Sequence, residues 1–140
     1  MADTPEQTIT WKTLERRWGE LGFDALSQSE REAISLFWLE AEVMNGGMHQ
    51  YFFNSSGDGA PLAASALRSL GATRSLELLE SCMAKFGPIY PVDREKRGDM
   101  LDALGWDPDP FDSETVELQD LPEDFFRLAL DRLSEQYRPE

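Results

Sequence analysis

Apolar residues recur along this chain at spacings of three and four, the rhythm that gathers side chains on one face of an α-helix. Trp11, Leu14, Trp18 and Leu21 set a first stripe, with Thr10 as N-cap and Gly22 as the stop. Ala33, Ile34, Phe37, Trp38, Ala41 and Met44 set a second, from about Glu30 to Met44, and Ser29 with Glu32 has the spacing of a capping box at its start. This helix is the expected centre of the fold. Asn45, Gly46 and Gly47 end it, since Asn and Gly tolerate the left-handed backbone by which a chain leaves a helix.

A short helix is expected over Met48 to Phe53. Its consecutive Tyr51, Phe52 and Phe53 cannot share one face, so at least two of its sides must be covered. Asn54 to Gly59 is turn chemistry throughout. Pro61 opens a helix carrying Leu62, Ala66, Leu67 and Leu70, and Thr73 caps another with Leu76, Leu79, Met83 and Phe86 along its stripe. A crossover, Pro88 to Pro91, leads to a charged helix from Asp93 to Leu104 with Met100, Leu101 and Leu104 inward. Trp106 to Phe111 reads as a loop pinned by its two aromatics, and Pro122 begins a last helix that packs Phe125, Phe126, Ala129, Leu130 and Leu133. No segment has the alternation of a strand. The reading is an all-α single domain over residues 1–140, with seven or eight helices around the Trp38 and Tyr51 region and residues 1–8 as a loose lead.

Composition changes this picture in one respect. The 41% of apolar residues, with eight Phe and four Trp, belongs to a packed domain, but 27 acids against 13 Lys and Arg leave a net charge of −14. Such a surface repels nucleic acid and acidic membranes and attracts basic partners. The polar start, the absence of a long apolar run and the single cysteine, Cys82, point to a cytoplasmic protein without disulfides. The charge is concentrated late in the chain. Asp99, Asp102, Asp107, Asp109, Asp112, Glu114, Glu117, Asp120, Glu123 and Asp124 fall between Gly98 and Phe126, a stretch with no Lys or Arg. These ten acids are the candidate partner-binding surface, with help from Glu30, Glu40, Glu42, Glu77 and Glu80 where these face outward. The plainer alternative is a solvated face, with Asp120, Glu123 and Asp124 offsetting the dipole at a helix start.

The run Asn45-Gly46-Gly47, Gln50-Tyr51-Phe52-Phe53-Asn54 and Gly57-Asp58, followed by Ala66-Leu67, Leu70-Gly71-Ala72 and the helix to Phe86, resembles the bacterial DNA-mimic protein family, over roughly Leu26 to Tyr137. The resemblance implies an all-α domain and an acidic protein that imitates DNA and occupies the basic surface of a DNA-binding protein such as a helix-turn-helix transcription regulator. Asn45, Gly46, Gly47, Gln50, Tyr51, Phe52 and Asn54 carry over as fold-shaping positions. Met48 stands where the family usually has an aromatic residue.

Other chemistry finds less support. His49, the only histidine, could serve a small enzyme site with Tyr51, Asn54 and Asp58, or with Glu42, but acid–base catalysis needs a second group at hydrogen-bond distance. Cys82, on an apolar helix stripe, reads as a small buried side chain. One His and one Cys cannot build a common zinc site, and Asp107 to Asp112 lacks the Gly and Glu of a calcium loop. The expectation is therefore no catalytic residue, no metal, no cofactor, no direct nucleic-acid or membrane binding, and a monomer or homodimer that binds a basic protein. A third alternative is an interaction scaffold with an apolar patch at Trp106 and Phe111.

Overall fold

The computed structural model describes residues 9–137, and the loose lead assigned to residues 1–8 lies outside them. Among the described residues the fold is all-α, with eight helices: α1 (Trp11–Leu21), α2 (Gln28–Gly46), α3 (Met48–Phe53), α4 (Ala60–Ser69), α5 (Thr73–Ala84), α6 (Arg94–Leu104), α7 (Asp112–Gln119) and α8 (Phe125–Gln136). Short 3-10 turns at Phe23–Ala25 and Ser55–Gly59 join α1 to α2 and α3 to α4.

The central place of α2 agrees with its pattern: α3, α4, α7 and α8 all pack on it. Its buried stripe differs from the expected one, because Ala33, Ile34, Leu36, Leu39 and Val43 are covered whereas Trp38 is 38% exposed and Met44 is exposed too. The shift has a local cause. Trp11 of α1 stacks on Phe37 with ring centres 3.6 Å apart and meets Trp38 edge-on, so these aromatics form an outer layer between α1 and α2 above the core. Leu21, expected on the packed face of α1, is likewise exposed.

Caps also move from where spacing alone puts them. The capping box at the start of α2 is Ser27 with Glu30: Ser27 Oγ accepts from the Glu30 N–H at 3.1 Å and the Glu30 carboxylate accepts from the Ser27 N–H at 2.9 Å. Ser29 and Glu32 have the same spacing, but Arg17 on α1 donates to Glu30 at 2.5 Å and holds the box one turn-fraction earlier. Glu32 turns instead to Arg132 on α8 at 2.9 Å. Thr73 is the first residue of α5, and its hydroxyl donates to the Gly71 carbonyl. The open N–H groups of α5 are met by Glu123, which accepts from the Arg74 N–H at 2.9 Å and from the Ser75 N–H at 2.8 Å. The last helix starts at Phe125, three residues after Pro122.

Helix α7 is an element the periodicity did not single out. Its buried positions are Glu114, Thr115 and Leu118, only one of them apolar, while Val116 is exposed, so no apolar stripe announces it. Thr115 is where α7 meets the Asn-Gly-Gly turn. Gly47 has φ +94°, and a Cβ there would stand 3.0 Å from Thr115 Cγ2; the next N–H, of Met48, donates to Thr115 Oγ1 at 3.0 Å. Past this turn α3 buries Tyr51 and Phe52 and leaves Phe53 about half exposed, as three consecutive aromatics require.

Candidate functional site

The signature residues close a polar knot around α3. Gln50 and Asn54 both donate to Glu42 Oε2 at 2.9 Å, which ties α3 back to α2. On the other side Arg97 of α6 enters the interior and is fully buried. It donates to the carbonyls of Phe52 (2.6 Å), Asn54 (2.9 Å), Pro91 (3.2 Å) and Val92 (3.0 Å), and pairs with Asp58 Oδ1 at 2.9 Å. These carbonyls end α3 and lie on the crossover, so a single guanidinium satisfies acceptors that no helix would. Gly57 fits here because a Cβ would come within 2.8 Å of Arg97 Nε. Arg97, Leu101 and Leu104 stand at the spacing of one helix face. That alignment was the available signal for a buried arginine, although Leu104 at the end of the face is partly exposed.

With Arg97 turned inward, the opposite face of α6 is acidic. Glu95, Asp99 and Asp102, four and then three residues apart, are all exposed, and none is in a salt bridge among the described residues. Asp102 accepts from the indole N–H of Trp106 at 3.1 Å. Asp107, Asp112, Asp120 and Asp124 are exposed as well, with no side-chain hydrogen bond or ion pair among the described residues. Asp109 is half-buried and accepts from the Phe111 N–H at 2.8 Å. Near Asp124 the half-buried Glu40 has its carboxyl raised above the usual range, by burial first and by the Asp124 charge second.

The remaining three acids of the stretch are in another position. Glu114 is 6% exposed, pairs with Lys85 at 2.6 Å and accepts from Ser81 at 2.9 Å. Burial alone would raise its pKa, but these bonds, with those of Ser113 and the backbone, bring it down to about 2. Glu117 pairs with Arg74 at 2.7 Å, and Glu123 caps α5. The stretch has no basic residue of its own, but Arg74 of α5 and Lys85 just past its end are brought to it from elsewhere in the chain. Of the helper acids, Glu30 and Glu42 are occupied as described, Glu77 pairs with Arg74, and Glu80 pairs with Arg68.

The four residues of the enzyme alternative do not converge. His49 lies against Trp106, ring centres 3.8 Å apart, with Nε2 3.0 Å from the Gly105 carbonyl. Tyr51 is buried, Asn54 is bound to Glu42 and Asp58 to Arg97. His49 lines one recess and Asn54 a different one. Cys82 is buried, and burial pushes its thiol pKa up. The apolar patch of the third alternative is also divided, since Phe111 is in the core and only Trp106 reaches the surface. Among the described residues no helix is long and apolar enough to cross a membrane.

Residues 24–138 match the DMP19-like protein family, which is well over half of the chain. The chain belongs to that family. DMP19-like proteins are a DNA-mimic family, and α6 falls within the matched residues. Neither the curated proteins nor the solved structures yield a significant match.

Proposed function

We propose that the protein is a non-enzymatic DNA mimic that occupies the basic surface of a DNA-binding protein, such as a helix-turn-helix transcription regulator. Its contact acids are Asp99, Asp102, Asp107, Asp109, Asp112, Asp120 and Asp124, extended by Glu95, while Glu114, Glu117 and Glu123 hold the scaffold. The observation that carries the reading is the exposed row of carboxylates on α6, none of them in an ion pair among the described residues. Side chains three or four apart on a helix stand roughly 5–6 Å from one another. A rigid row of single charges at that spacing offers a DNA-reading surface the kind of field that a phosphate strand offers. Family membership supports the same reading.

The test is retention of basic DNA-binding proteins on the immobilised chain at low and at high salt, followed by elution with duplex DNA. Retention should fall steeply with salt, because screening acts over about 8–10 Å at physiological ionic strength, and DNA should displace what is held. If no basic protein is retained at low salt, or if DNA displaces none, the reading fails.

A further inference from the structure

A recess of about 360 Å³ opens beside the acidic face, lined by Gly46, His49, Gln50, Phe53, Trp106 and Asp109. Two aromatic rings form its walls: Trp106, which lies against His49, and Phe53, which meets Trp106 edge-on at 5.5 Å. The polar atoms left over in it are acceptors. A carbonyl can only accept, so the contact with Gly105 puts a proton on Nε2 of His49 and engages that nitrogen. Nδ1 of His49 has no hydrogen-bond partner among the described residues but is itself buried, with His49 only 5% exposed, so the imidazole serves as packing behind Trp106.

Gln50 and Asp109 supply the acceptors. Gln50 directs its amide nitrogen to Glu42, which leaves Oε1 over Gly46, so close that a Cβ on Gly46 would overlap it. Asp109 uses Oδ1 for the Phe111 N–H and retains its second oxygen. The indole N–H of Trp106 is engaged by Asp102. No Lys or Arg lines the recess. Arg94 stands over the Phe53 ring at 5.7 Å, but it donates to the Phe53 carbonyl and lines the other recess, beside Trp38.

Aromatic walls, an amide oxygen beside a carboxylate oxygen, and no cation suit a ligand that is flat, positively charged and rich in donors. Guanidinium has all three properties, whereas an ammonium is a compact point charge without a plane to stack. We propose that this recess is an arginine socket, which receives the guanidinium of an arginine projecting from the partner's DNA-reading surface. On duplex DNA such an arginine meets the O6 and N7 acceptors of guanine; the recess presents acceptors in their place, beside carboxylates in the place of phosphates. The source of the arginine rests on the DNA-mimic reading, but the chemistry of the socket does not.

The experiment is a titration of the ¹⁵N-labelled chain with acetyl-arginine amide and, separately, acetyl-lysine amide, followed by NMR. Arginine amide should give saturable shifts centred on the Trp106 indole N–H and the amides of His49, Gln50 and Asp109, and lysine amide should bind about fivefold more weakly. Asp109→Asn keeps an acceptor for the Phe111 N–H and removes the charge, and should weaken arginine binding roughly threefold. Trp106→Leu removes a stacking wall and should weaken it about fivefold. Equal binding of the two amides, shifts that do not saturate, or unchanged binding to Asp109→Asn would each overturn the socket. Socket binding by arginine amide in a chain that retains no DNA-binding protein would leave the socket standing and remove the DNA-mimic reading.

Discussion

Where α7 and the start of α8 face α5, Glu114, Glu117 and Glu123 each reach a cation or a row of backbone donors, whereas along α6 Glu95, Asp99 and Asp102 reach no cation among the described residues. The two regions have the same side-chain chemistry and differ in what lies opposite them. Helix α5 presents Arg74, and Lys85 just past its end, to its neighbours. Helix α6 has Arg94, Lys96 and Arg97 in its first turn, but Arg97 turns inward, onto four carbonyls and Asp58, and Arg94 donates to the Phe53 carbonyl. The contrast teaches that a carboxylate's role here follows from the facing element and not from local acid density.

Removing Arg97 should have the largest effect of all. Arg97→Leu orphans buried acceptors at the end of α3 and should lower stability by about 3–5 kcal/mol in denaturant unfolding. On the α5 side, Glu114→Ala leaves Lys85 half-covered without its partner and should cost about 2–3 kcal/mol. Glu123→Ala strips the cap from α5, and thermal unfolding should report a loss of about 1–2 kcal/mol.

Acid sharpens the same contrast. Glu30 and Glu114 both have folded pKa values of about 2 against an ordinary 4.5, in each case because hydrogen bonds and a cation outweigh the opposing effect of burial. A carboxyl depressed on folding contributes stability that is present above the unfolded pKa. That stability is lost as pH falls from about 4.5 through about 2. Glu114→Gln should flatten this part of the unfolding profile. Glu40 runs the other way: its carboxyl is raised by burial and then by Asp124, so its ionisation weighs against the fold as pH rises, and Glu40→Gln should stabilise slightly at neutral pH.

The smallest stability effect belongs to the α6 row. Asp99→Asn combined with Glu95→Gln should change unfolding by no more than about 0.5 kcal/mol, yet weaken retention of a basic partner and reduce its salt dependence. A large loss of stability from these two substitutions would erase the distinction between the regions.

Much of the helical frame was legible because its signals are local. The stripe of α8, the charged helix from about Asp93 to Leu104, and the turn at Asn45 to Gly47 all depend on residues within a turn or two of one another. What was not legible depended on distant neighbours. The box at Ser27 was selected over Ser29 by Arg17, α7 has no apolar stripe to read, and Trp38 lies in an outer aromatic layer because Trp11 of α1 meets it there. At the site, the position of every acid was visible, but Glu114 looked the same as Asp112 until Lys85 was placed against it.

By itself, then, the sequence determined an acidic all-α chain and the glycine turn that orients α3, since periodicity, capping and the steric freedom of glycine act over a few residues. The tertiary structure alone decided which carboxylates are neutralised, that Arg97 is an interior hub, and that His49, Trp106 and Asp109 share one recess. The physical reason is range: hydrogen bonds and ion pairs act over a few ångströms in space, and the partners they join here are as far as 125 residues apart along the chain.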